Sequence, residues 1–320
     1  MAWPHFRCFI SNRNIMAHDI DIKKLLNKIE SLIATTFFVK AEVGLTPKRE
    51  HIITSLKYQG LNQMRSEFIR RLVNSIVKYV YSQAKLEDRY KELVESEGLD
   101  IGDAHAEIFQ QARQFFRSSD IKGQFSELLL FNFLQHYFEA IPVVRKMRIT
   151  TNSEVERHGA DAIHLGQSSP GNYQVYLGEA KTYPSGFKNA FKNAIESIVT
   201  TYREHRNELQ LYKYEEYIEP EVRSLMIDYQ NCKVDLPVRL VVIISYCTGT
   251  TPDKANSEEY HKHYQEHVLN ECLKIKDTHY KDKDGNAVNP ELLKEIDYIL
   301  FPVNELDKLL DEFKNAIGQP

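Results

Sequence analysis

The sequence predicts an α/β protein in which a mixed β-sheet is flanked by helices and follows a mainly helical N-terminal region. Three observations predict it. Through the first part, apolar residues recur at helical spacing (Leu61, Met64, Phe68, Leu72, Val73, Ile76, Val77, Val80), with Arg65, Arg70, Arg71 and Lys78 off the stripe. From about residue 120, short runs rich in β-branched and aromatic residues alternate with helical segments in the order α-β-β-β-α-β-α-β-α. Two of the strand connections are short enough for hairpins, so the sheet is mixed rather than all parallel.

The N-terminal region, residues 1–118, is expected to hold a short strand near Thr35–Val43, the helical stripe at 61–80 and a helix at Ala104–Arg117. Gly98 and Gly102 mark Glu95–Asp103 as a loop. Residues 119–320 are expected to form the second unit. Its helix Gly123–Phe138 is followed by strands Val143–Thr150, Asp161–Leu165 and Tyr173–Lys181. A long helix, Phe187–Leu209, then carries Phe187, Phe191, Ile195, Ile198 and Tyr202 on one stripe. A buried strand at Val238–Tyr246, a polar helix at Ser257–Lys276, a strand at Tyr298–Val303 and a helix at Glu305–Ile317 complete the order.

Composition excludes several classes. At 42% hydrophobic and 27% charged, the chain is neither disordered nor fibrous. The apolar run near Val238–Ile244 is too short to span a bilayer, so no membrane partner is expected. Met1–Met16 carries Arg7 and Arg13 without the apolar segment of a secretory signal, which predicts a cytoplasmic location. The four cysteines (Cys8, Cys232, Cys247, Cys272) show no CxxC spacing and read as reduced, mostly buried thiols. A formal net charge of −4 argues against coating nucleic acid by bulk charge. Nucleic-acid binding would need a local basic patch or a partner.

The candidate chemistry lies at Asp161 and at Glu179-Ala180-Lys181. The chain contains four [DE]-x-K triplets, so the pattern alone decides nothing. Three of them lie on or beside predicted helices, where residues two apart do not share a face. Glu179-x-Lys181 lies on a strand, where they do, together with Val175 and Leu177. It follows, by 18 residues, an aspartate opening another strand behind Gly159-Ala160, and a hairpin would set Asp161 across from Glu179. Glu127 is the third acid, in the helix segment Phe125-Ser126-Glu127-Leu128-Leu129-Leu130-Phe131, which is apolar on almost every side. A carboxylate there needs a partner or a metal, and an ion pair to Arg145 or Lys146 is the ordinary alternative. Mg²⁺ takes oxygen ligands from one or two carboxylates plus water and phosphate. Asp161 and Glu179 would supply them, with Glu127 as an outer ligand. Lys181, kept charged by its carboxylate neighbours, suits electrostatic stabilisation better than proton abstraction.

Helix acid, then Asp161, then Glu179-x-Lys181 on consecutive strands resembles the PD-(D/E)xK nuclease superfamily over about Gly123–Val303. No proline precedes Asp161. Gly123-Gln124-Phe125-Ser126-Glu127, His158-Gly159-Ala160-Asp161-Ala162 and Leu177-Gly178-Glu179-Ala180-Lys181 resemble HamA, the nuclease family of the Hachiman anti-phage system, and the related Abp subunit. The resemblance implies a restriction-endonuclease-like sheet and Mg²⁺-dependent cleavage of DNA, with Mn²⁺ able to substitute. It also implies a superfamily 2 helicase partner (HamB-like) and the site residues Glu127, Asp161, Glu179 and Lys181. A catalytically silent DNA-end sensor or helicase adaptor of the same fold is the alternative, and RNA as the substrate stays open.

Other residues are weighed on chemistry alone. Lys188 and Lys192, one helical turn apart, are candidates for holding the DNA backbone. His158 is a further candidate contact to phosphate. For Arg203 and Arg206 a solvated face is the more ordinary reading. His261, His263 and His267 have partial zinc spacing but no HExxH pattern, so they too read as a solvated helix face. Lys281–Asn286 lacks the flanks of a calcium loop and reads as a surface turn.

Overall fold

The structure is a computed structural model that describes residues 19–116, 120–145, 159–184, 186–209, 218–249 and 253–318. Its strands, in chain order, are β1 Thr36–Glu42, β2 Glu50–Leu56, β3 Tyr58–Gln59, β4 Asn62–Gln63, β5 Ile141–Val144, β6 Ala162–Ser169, β7 Asn172–Tyr183, β8 Val238–Cys247 and β9 Ile296–Val303. Seven of them form one sheet in the order β1-β2-β9-β8-β7-β6-β5, and β3 and β4 form a small hairpin. The four central strands β2, β9, β8 and β7 run parallel, whereas β1 and the β5–β6 pair are antiparallel to their neighbours. This is the mixed, helix-flanked α/β sheet that the sequence predicts.

The sheet crosses residue 118, because β1 and β2 come from the first sixty residues and complete the sheet beside β9. β2 is absent from the sequence reading. Six of its seven residues, His51 to Leu56, are buried, so it shows no alternation of polar and apolar positions. The helix expected at 61–80 is two helices, Arg65–Asn74 and Ile76–Val80. Leu61 belongs to the β3–β4 turn, where Gly60 takes φ +63°. Gly98, at φ +74°, interrupts the chain as expected. Gly102 does not, because Asp100 accepts a bond from the Asp103 amide and starts the helix Ile101–Arg113 ahead of it. The helix Pro220–Gln230 is also new.

Parity along β7 builds the layers. Val175 and Leu177 face one core with Phe187, Phe191, Ile195 and Ile198 of the long helix Phe187–Leu209. Tyr176 and Ala180 face the other core with Phe125, Leu128, Leu129 and Phe131 of the helix Ile121–Tyr137. That helix buries eleven of its seventeen residues, which explains why its sequence lacks a polar face. It lies so close to β7 that a Cβ on Gly178 would stand 2.7 Å from Leu130 Cδ2 and 3.1 Å from Ala162 Cβ. Gly178→Ala is therefore expected to cost about 1–3 kcal/mol through overpacking. Urea unfolding checks this as a lowered midpoint at unchanged slope.

Of the three described cysteines, Cys272 is buried, Cys247 intermediate and Cys232 exposed, so the thiols are not mostly buried. The histidines of Ser257–Cys272 are neither a described metal group nor a solvated face. His261 stacks on Phe37 with ring centroids 4.2 Å apart, and His267 stacks on Tyr246 at 5.8 Å. The 281–286 segment is a turn built by Asp282, which accepts bonds from the Asp284 and Asn286 amides. Arg203 pairs with that same aspartate at 2.5 Å, so it staples the turn to the long helix instead of facing solvent unpaired. The Arg206 side chain lies outside the described residues.

Candidate active site

β6 and β7 bring Asp161 to Glu179. Ala162 pairs with Gly178 in an antiparallel register, so Asp161, one residue earlier, lies beside Glu179. Its amide donates to the Gly178 carbonyl at 2.9 Å, and its Oδ2 accepts from the Ala180 amide at 2.9 Å. The carboxylate is thereby held against the strand that carries the other two residues. Gly159, two residues upstream, takes φ +128°, a conformation that L side chains rarely adopt, in the entry to β6.

Glu179 is 2% exposed. Its Oε1 accepts from Lys181 Nζ at 2.6 Å and from Ser197 Oγ, on the long helix, at 2.7 Å. Its Oε2 is buried and accepts no hydrogen bond. Burial, reinforced by repulsion from Asp161, raises the Glu179 pKa to about 8, against the opposing pull of Lys181 and Ser197. For Lys181, burial lowers the proton affinity, but attraction to Glu179 and Asp161 outweighs it and the net shift is upward. The lysine–glutamate contact thus favours both charges, and what disfavours the Glu179 charge is its burial beside a second carboxylate. An ammonium held protonated in this way is an electrostatic group rather than a base.

Glu127 is partly buried on the face of the sheet that the helix Ile121–Tyr137 covers, and it accepts a 3.1 Å bond from the Tyr79 hydroxyl. Burial of Tyr79, with the charges of Glu127 and Asp161, raises that hydroxyl's pKa far above its ordinary value. Tyr79 therefore senses both acids, and it comes from the N-terminal region. Of the two cations weighed as partners for Glu127, Lys146 lies outside the described residues. Among the described residues no three His, Cys, Asp or Glu side chains are grouped to hold a metal ion. The acids that meet are the pair Asp161 and Glu179. That donor set still fits a hard divalent cation. It is made of oxygens, it has a buried carboxylate oxygen without a partner, and Asp161 disfavours the Glu179 charge, which a cation would offset.

Lys188 and Lys192 sit near the start of the long helix, where with Lys276 they act to lower the pKa of His279 below that already set by its burial. At about 100° per residue, Lys188 points away from the Ser197 side of the helix. His158 lies outside the described residues. Sequence reasoning missed Ser197 and Tyr79. Ser197 and Asn193, spaced i, i+4, interrupt the edge of the apolar stripe, and Asn193 bonds to the Tyr183 hydroxyl. Tyr79 gives no sequence signal, because a tyrosine on an apolar helix is ordinarily core.

Comparison with known families decides the placement: the HamA family model matches residues 31–317. The chain belongs to the HamA family. HamA is the Hachiman antiviral-defence family, so this HamA-family chain is a defence protein. The match takes in β1, β2 and Tyr79 as well as the acids, so the N-terminal strands are part of what the family shares. A search of curated proteins returns no match. Among the described residues of this HamA-family chain, no helix is long and apolar enough to cross a membrane.

Proposed function

We propose that the protein is the Mg²⁺-dependent DNA nuclease of a Hachiman defence system and hydrolyses phosphodiester bonds in concert with a superfamily 2 helicase. The observation that carries this reading is Glu179, a buried carboxylate with one oxygen pinned by Lys181 and Ser197 and the other unpartnered, set beside Asp161. Asp161 and Glu179 would hold the cation, and Glu127 would act from the outer shell. When bound, Mg²⁺ lowers the pKa of water and neutralises charge on the scissile phosphate. Lys181 stays protonated and offers its ammonium to the phosphate oxygens in the transition state. Lys188 and Lys192, joined by Lys276, would grip phosphates flanking the scissile one, and His158 would contact the backbone next to Asp161.

The net charge of −4 supports dependence on a partner for delivery to DNA. Residues 1–118 would supply the helicase-binding surface. In support, Phe38, Leu61 and Ile101, three of the five large hydrophobic side chains most exposed among the described residues, lie there.

The test is incubation of linear and circular DNA with Mg²⁺ and the protein, alone and with the helicase encoded beside it. Cleavage by either combination that disappears in a Glu179→Ala/Lys181→Ala variant supports the reading. Absence of cleavage in both, or cleavage by the variant at the wild-type rate, defeats it in favour of the silent adaptor. A parallel RNA substrate separates the two nucleic acids.

A further inference from the structure

We propose that Ser197 is a positioning residue, whose hydroxyl ties down one oxygen of Glu179 so that the other, Oε2, is the one offered to a divalent cation. The inference rests on the reading of Asp161 and Glu179 as a metal-binding pair. Both described donors to Glu179, Lys181 Nζ at 2.6 Å and Ser197 Oγ at 2.7 Å, meet at Oε1. Oε2 accepts from neither and is buried.

The two donors are not equivalent. Lys181 lies on the same strand as Glu179, two residues on, and its side chain is 27% exposed on a flexible stem. It moves with the strand and can turn toward a phosphate. Ser197 comes from the facing layer. Its helix neighbours Ala194, Ile195 and Ile198 are fully buried, so the hydroxyl is held by the packed core. One turn earlier, Asn193 binds the hydroxyl of Tyr183, which shares a face of β7 with Glu179 and Lys181. The helix edge therefore touches the catalytic face of the strand at two points. Ser197 is the described contact that ties the Glu179 carboxylate to something other than its own strand. Outer contacts of this kind orient a ligand, and their loss typically weakens metal binding about 10–100-fold.

Isothermal titration calorimetry of Mn²⁺ into the full-length protein tests this with wild type, Ser197→Ala, Ser197→Thr and Glu179→Gln. The expected result for Ser197→Ala is affinity weakened at least about 10-fold, with the metal-free unfolding midpoint close to wild type. Ser197→Thr keeps the hydroxyl at a half-buried position and should restore affinity to near wild type. Wild-type affinity in Ser197→Ala overturns the proposal. So does a Ser197→Thr protein as weak as Ser197→Ala with a lowered unfolding midpoint, since that marks a packing role. If wild type takes up no Mn²⁺, or Glu179→Gln binds it equally well, the metal-binding reading itself falls and takes the proposal with it.

Discussion

Glu179→Gln is expected to move stability and activity in opposite directions. In metal-free buffer at pH 8 the variant should be more stable than wild type, and the DNA cleavage proposed above should fall by on the order of 10³-fold. The stability sign follows from linkage. Burial and Asp161 raise the Glu179 pKa from its ordinary 4.5 to about 8. Between those values the native state holds a proton that the unfolded state has released, so this group's contribution to stability falls as pH rises through the window. At pH 8 most of that loss has been incurred. A neutral amide avoids it. A gain of about 1–3 kcal/mol is the expected scale, discounted for coupling within the cluster. Adding Mn²⁺ should reverse the ranking, because ligand binding stabilises the wild type alone. Urea unfolding at pH 8, with and without Mn²⁺, measures both. A variant less stable than wild type in metal-free buffer would show that the buried charge is satisfied without a cation.

The second large effect comes from His164 on β6, away from the acids. Burial, together with the nearby charge of Arg145, lowers its pKa from 6.5 to about 3, although a bond to the Ala140 carbonyl opposes the shift. The ring is 1% exposed, and its Nδ1 donates to that carbonyl at 2.9 Å. Phe131 meets it edge-on at 5.6 Å. Above pH 6.5 neither the native nor the unfolded state is protonated at this site, and the full contribution is present. As pH falls below 6.5 the unfolded state takes up a proton that the native state refuses, and stability declines until about pH 3, where both states are charged. Between pH 7.5 and pH 5 this one ring should remove about 2 kcal/mol. Unfolding of wild type and His164→Asn at the two pH values isolates it, since other groups titrate equally in both. The difference between the two losses should be about 2 kcal/mol. Equal losses would mean that the ring is not held neutral.

Much of the candidate site was legible in the sequence. Strand parity selected Glu179-x-Lys181 from four triplets, and the short connection between Asp161 and that run implied the hairpin that sets the acids side by side. The long helix Phe187–Leu209 was legible end to end, because Phe187, Phe191, Ile195, Ile198 and Tyr202 recur at helical spacing along it. β2 was not legible, since a strand buried on both faces has no period to read. Nor could the sequence show that this strand pairs with β9, more than two hundred residues away.

By itself, then, the sequence determined the α/β class, Glu179 and Lys181 on one strand face, and the resemblance to HamA that the family match bears out. These are local properties, carried by side-chain type and spacing. Only the tertiary structure decided that Ser197 and Lys181 share one oxygen of Glu179 and leave the other bare, that Tyr79 reaches Glu127 from the N-terminal region, and that Arg203 is committed to Asp282. The physical reason is that a hydrogen bond depends on distances between atoms in different layers. Those distances are set when the two cores pack against the faces of one sheet, and no spacing along the chain records them.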